Sequence, residues 1–186
     1  MANGTLKVEN IQTSSGSGTI TLGQSGETLA LGSGVTSNLL YPVFQVYRNA
    51  DLAISDITNT QVTYTTVDYD TNSGWDSTNN KYIVPAGKGG KYYISNTLLC
   101  QSGAASQLSQ IFLYTRINGT TIATSNFNYE NNHGRKMHPF TGVIYDCVAG
   151  DQIDALVWIN VTSGSPTIRG ASNDRQTYLS AYRIGS

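Results

Sequence analysis

"IFLYTRINGTTIATSNF" (residues 111–127) holds two strand-like runs joined by Asn118-Gly119. A two-residue type I′ turn needs positive φ at both positions, and Asn-Gly supplies that at low steric cost. The flanking residues are rich in β-branched and aromatic types and carry no 3.6-residue apolar period. The stretch reads as a β-hairpin and sets the expectation for the whole chain: all-β, with antiparallel strands.

Composition agrees. The 186 residues are 39% hydrophobic and only 12% charged, with 19 Gly and 12 Tyr, a balance that favours short strands and polar turns over helices. Strand-like runs fall at 42–48, 60–67, 81–84, 91–99, 109–117, 120–128, 140–148, 151–160 and 177–184. Gly87–Gly90, Ala149-Gly150-Asp151 and Ser163–Pro166 read as turns, and "DYDTNSGWDSTNNK" (68–81) as a long polar loop. The net charge is −1, with no run of Lys and Arg able to neutralise a row of phosphates, which argues against nucleic acid as a partner. No apolar run approaches the ~20 residues needed to span a bilayer, so membrane insertion is not expected. "MANGTLKVEN" lacks the basic-then-apolar pattern of a secretion signal. Cys100 and Cys147 sit in strand-like apolar settings, where a free buried thiol is commoner than a disulfide.

Two strands are apolar on both faces. In "DQIDALVWIN" (151–160), Ile153, Ala155, Val157 and Ile159 share one face, and Leu156 and Trp158 occupy the other. In "TYLSAYRI" (177–184), Tyr178 and Tyr182 lie opposite Leu179 and Ala181. A sheet with one buried face alternates apolar with polar, so Trp158, Tyr178, Tyr182 and Leu156 are expected at an interface between copies of the chain. A two-sheet sandwich covered by loops would give the same pattern.

The chain divides near residue 38. Residues 1–38 contain no aromatic residue, and every Phe, Tyr and Trp lies in 39–186. Within "GTITLGQSGETLALGSG" (18–34), Thr-Ile-Thr-Leu-Gly returns nine residues later as Thr-Leu-Ala-Leu-Gly. Such short runs cannot bury their apolar side alone. Three chains wound together can, with Ile20, Leu22, Leu29 and Leu31 turned inward as stem-packing residues. A flexible Gly/Ser linker is the alternative.

In order along 39–186, "PVFQVYR" (42–48), "TQVTYTTVDYD" (60–70), "NKYIVPAGKGGKYYIS" (80–95), "RINGTTI", "VAGDQIDALV" and "TYLSAYRIG" resemble the jelly-roll head shared by complement component one-q and the tumour necrosis factor family. Tyr82, Val84, Pro85, Gly87, Gly90, Tyr92 and Tyr93 carry the most specific part of the match. Ala181 stands where a small residue, often Gly, is usual. The resemblance implies an antiparallel two-sheet jelly-roll sandwich and a homotrimer built around the aromatics of the inner sheet. "LKVENIQTSSGSGTITLGQSGETLALGSG" (6–34) resembles the N-terminal segments of fibre and appendage proteins from tailed bacteriophages. That implies a β-rich fibrous stem attached to other virion proteins.

Catalytic chemistry has little support. His133 and His138 lack a neighbouring Cys or carboxylate at ligand spacing, and no G-x-S-x-G elbow accompanies them. Asp68, Asp70 and Asp76 are weak calcium candidates, with spacing like an oxygen-rich loop but without the closing Glu; solvated acidic loops are commoner. Surface binding is easier to defend. Tyr69 and Trp75 in one loop, and Phe127, Tyr129, Asn131 and Arg135 in another, place planar rings beside amide and charged groups, as sugar recognition requires.

The expectation is a non-enzymatic structural virion protein of a tailed phage, assembled in the host cytoplasm. Residues 1–38 form an attachment stem, and a trimeric jelly-roll body (39–186) adheres to a host surface glycan or protein without a cofactor. A capsid-decorating head fibre and a secreted complement one-q-like recognition module are the alternatives.

Overall fold

The computed structural model describes residues 42–185. The stem-packing residues Ile20, Leu22, Leu29 and Leu31, with the whole 1–38 segment, lie outside them. The strands are β1 (Val43–Tyr47), β2 (Leu52–Ala53), β3 (Thr60–Gln61), β4 (Thr66–Asp70), β5 (Trp75–Asp76), β6 (Lys81–Ile83), β7 (Gly90–Thr97), β8 (Leu99–Gln101), β9 (Leu108–Ile117), β10 (Thr120–Asn128), β11 (Lys136–Met137), β12 (Phe140–Cys147), β13 (Gln152–Val161), β14 (Thr167–Arg169) and β15 (Tyr178–Gly185). All named pairings are antiparallel.

A five-stranded sheet runs β12-β7-β15-β1-β4, and a second runs β10-β9-β13-β6-β5 with β3 also paired to β13. A small sheet, β11-β8-β14-β2, repeats the first four strands one for one: each of its members adjoins β12, β7, β15 or β1 along the chain. β1 and β2, β7 and β8, and β11 and β12 follow one another after short breaks, whereas the longer connection 170–177 separates β14 from β15. Pro139 cannot donate at the break between β11 and β12, and its carbonyl accepts from the Thr97 hydroxyl at 2.8 Å. Buried Thr177 accepts from Leu99 N and donates to the Arg169 carbonyl at 2.7 Å.

The Asn118-Gly119 hairpin forms as expected, with φ of 51° and 78° at its two turn residues and Ile117 opposite Thr120. The run at 60–67 is not one strand. β3 pairs with β13 and β4 with β1, so the chain crosses between the sheets here, with Val62 and Tyr64 buried at the crossing. The polar run at 68–81 is partly strand, because Trp75 pairs with Tyr82 and Asp76 with Lys81 across a short hairpin.

The core lies between the two large sheets. Ile153, Ala155, Val157 and Ile159 are fully buried, as their alternation predicts, and meet Val46, Ile94 and Leu179 of the opposite sheet in one cluster. Each such side chain contributes roughly 1.5–3 kcal/mol by leaving water. Phe44 and Tyr82 stack across the core with centroids 4.0 Å apart. A polar chain also crosses it. The Tyr64 hydroxyl donates to Asn96 Oδ1 at 3.2 Å, Asn96 Nδ2 donates to Thr115 Oγ1 at 3.2 Å, and the Thr115 and Thr141 hydroxyls share a 2.6 Å bond. All four side chains are buried and each has a partner, the condition under which a buried polar network does not penalise the fold.

Candidate interaction surface

Alternation along β15 sends Leu179 and Ala181 into the core and turns Tyr178, Ser180 and Tyr182 outward. Strand register then builds the outward face. Tyr182 lies opposite Tyr93 and Val43, Ser180 opposite Ser95 and Gln45, and Tyr178 opposite Thr97 and Tyr47. β12 extends the face with Phe140, Gly142 and Ile144 opposite Thr97, Ser95 and Tyr93.

The Tyr93 and Tyr182 rings are 5.5 Å apart at 48°, and the Ser95 and Ser180 hydroxyls share a 2.8 Å bond beside them. Gly142 lies close under both rings: a Cβ there would stand 2.8 Å from the Tyr93 hydroxyl and 3.1 Å from the Phe140 ring, so those side chains would have to shift. Phe140, Ile144 and Tyr182 remain 49%, 58% and 47% exposed. Exposed apolar side chains grouped in this way make the face a candidate interaction surface.

One flank is polar. Arg175 lies over the Tyr47 ring at 3.9 Å and grips Asp68 with two hydrogen bonds of 2.8 and 2.6 Å. Gln45 Nε2 also donates to Asp68, and the Tyr69 hydroxyl donates to Gln45 Oε1. Hydrogen bonding from Arg175 holds the Asp68 carboxyl below the usual carboxylate range.

The four interface residues expected from sequence do not share a face. Tyr178 and Tyr182 belong to the five-stranded sheet. Leu156 and Trp158 point outward from the other sheet, on the opposite side of the sandwich. There Phe112 stacks on Tyr114 at 5.9 Å, and the Trp158 ring meets Phe112 edge-on at 5.6 Å. The double-faced pattern of β13 thus has a cause within the chain, since these side chains half-bury one another beside the bidentate Arg116–Asp154 pair.

The binding candidates are likewise dispersed. Tyr69 stands on β4, at an edge of the five-stranded sheet. Trp75, on β5, and Phe127, on β10, occupy opposite edges of the other sheet. Trp75 packs against the core, with Phe44 stacked at 6.2 Å and the Tyr64 ring edge-on at 5.9 Å. Tyr129 also packs against the core and covers Gly134, whereas Asn131 and Arg135 are exposed on the same connection.

Asp68, Asp70 and Asp76 are not brought together as a calcium site. Asp68 is held by Arg175, Asp70 accepts from Trp75 N at 2.7 Å, and Asp76 closes its own turn by accepting from Thr78 N and Asn79 N. Among the described residues no three His, Cys, Asp or Glu side chains converge as metal ligands. His138 bonds the Gln176 carbonyl through Nε2 at 2.7 Å. Cys100 and Cys147 are free and buried; burial pushes the Cys100 thiol well up and the Cys147 thiol to about 12, far from a reactive thiolate.

Phe140, Ile144 and Arg175 were not singled out by the sequence, and Tyr93 was named only for the family match and not for a surface. In "KYYIS" one of two adjacent tyrosines must face out, which was a usable signal for Tyr93. "FTGVIYDC" carries apolar residues on both parities and offers no such choice.

No family model matches the chain, and no curated protein matches it in sequence. Solved structures do match in fold. The tumour necrosis factor Eiger from S. frugiperda aligns with a TM-score of 0.57 at 10% identity, covering 79% of this chain and 94% of its own. The globular domain of zebrafish complement 1qA aligns at 0.53 and 12%, covering 77% and 97%. Murine APRIL aligns at 0.52 and 11%, covering 77% and 99%. The body is therefore a jelly roll similar to those of tumour necrosis factor and complement one-q proteins, and at these identities the likeness is one of fold.

Proposed function

We propose that the chain is a non-enzymatic structural protein of a tailed-phage particle, mounted through residues 1–38 and displaying a homotrimeric jelly-roll body for adhesion to a host surface glycan or protein. The observation that supports self-assembly is the exposed face of Phe140, Ile144, Tyr93 and Tyr182, an apolar centre with a charged and hydrogen-bonded flank, the usual anatomy of a protein interface. The phage assignment rests on the resemblance of residues 6–34 to fibre and appendage proteins. Three copies would turn weak single-site contacts into avid attachment.

Light scattering of the purified protein should give three times the 20.0 kDa chain mass; a monomer overturns the reading. Imaging intact particles with an antibody to the body tests placement. Label at the tail supports an adhesive fibre, and label spread over the head supports a capsid-decorating role for the same trimer. The fold likeness to the globular domain of zebrafish complement 1qA favours a second reading, a complement one-q-like recognition module. It gains if no particle carries the label.

A further inference from the structure

A recess of about 380 Å³ opens where the 72–76 segment folds against β6, lined among others by Asn72, Ser73, Trp75, Asp76, Ile83 and Pro85. Its walls are fixed before any ligand arrives. Asp70 accepts from Trp75 N and Asn72 N, and Ile83 N donates to the Gly74 carbonyl at 2.8 Å. Gly74 is pressed so closely on β6 that a Cβ would lie 2.5 Å from the Tyr82 ring and 2.6 Å from the Ile83 carbonyl oxygen. Trp75 is held by Phe44 and Tyr64 on the core side and is among the residues that line the recess.

We propose that this recess is a binding site for one neutral pyranose residue of a host surface glycan, which deepens the adhesion reading above and rests on it. Trp75, Pro85 and Ile83 make the lining largely apolar, as the C–H face of a sugar requires. Ser73 and Asn72 form an exposed polar rim; the Asn72 Oδ1 accepts from the Thr71 hydroxyl, and its amide donors are left for ligand hydroxyls. The Asp76 carboxylate in the lining, and the Asp70 carboxylate bonded to Asn72 N and Trp75 N, disfavour an anionic sugar. The recess lies at the β5 edge of the sandwich and not on the outward face of the five-stranded sheet. Assembly through that face leaves one site open on each copy.

The test is a titration of the ¹⁵N-labelled full chain with methyl glycosides of glucose, galactose, mannose and N-acetylglucosamine, with glucuronic acid as the charged control. The expected result is a saturable shift of the Trp75 indole and of residues 72–76 and 83, with a Kd of ~1 mM for at least one neutral sugar and no movement of Trp158. Ile83→Tyr, which fills the recess from a strand position, should abolish the shift while the spectrum stays dispersed; Asn72→Ala should weaken it several-fold. No saturable shift with any neutral sugar, or a shift that survives Ile83→Tyr, overturns the proposal. Cell adhesion is scored separately. Adhesion that persists in Ile83→Tyr overturns the recess while sparing the adhesion reading, and sugar binding without adhesion does the reverse.

Discussion

The two outward faces of the sandwich are both aromatic, yet they differ in how far one chain covers them. Across β9 and β13, Phe112, Tyr114, Leu156 and Trp158 cover one another, and the Arg116–Asp154 pair, with Gln61 donating to Asp154, closes the surface beside them. Across β12, β7 and β15, the Tyr93 and Tyr182 rings also meet, but Phe140, Ile144 and Tyr182 stay largely exposed, and the polar pairs are confined to the centre and one flank. What distinguishes them is whether neighbouring strands supply enough bulk to satisfy the rings within one chain.

The sharpest way to break the comparison is Tyr182→Asp combined with Ile144→Arg. The pair should reduce the mass seen by light scattering from that of a trimer to the 20.0 kDa of one chain while leaving the circular dichroism of a β protein. Trp158→Ala is the counter-experiment. It should leave the assembly mass unchanged and lower unfolding stability by about 2 kcal/mol, because a half-buried ring is lost from its own chain's surface. Loss of assembly in Trp158→Ala would reverse the roles of the two faces.

Smaller effects probe what holds the faces in place. Thr115→Val removes the middle of the buried chain from Asn96 to Thr141 and should cost about 1–2 kcal/mol in denaturant unfolding, without altering mass. Arg175→Met should have the smallest effect of these, fully present at neutral pH and fading on acidification. The Asp68 carboxyl is lowered in the folded state, so its contribution is present above its unfolded value near ~4 and lost as pH falls through the lower folded value. The wild type should therefore lose stability below about pH 4 more steeply than Arg175→Met, as melting curves across that range would show.

Much of the fold was legible because it follows from local rules. Asn118-Gly119 dictates its turn, and the alternation of Ile153, Ala155, Val157 and Ile159 dictates their burial. The two- and three-residue strands β2, β5, β8, β11 and β14 were not legible, since a period of two cannot be recognised in a fragment that short. The outward apolar positions of β13 and β15 were legible too, but not their separation onto two sides, because parity within a strand says nothing of which sheet the strand joins. Asp68 illustrates the same limit. Its spacing to Asp70 and Asp76 suggested a cation, whereas its actual partner, Arg175, arrives from a distant connection.

The place of β15 between β7 and β1 has a consequence for biosynthesis. Both neighbours leave the ribosome long before the strand that joins them, so each waits with an open edge until nearly the whole body has been translated. Val43 meets Tyr182 only then. Such long-range closure predicts slow folding and a window in which unpaired edges are exposed to other chains. Among the described strands, β15 is the last to be made, so the Tyr178 and Tyr182 rings are the last part of that outward face to take their place.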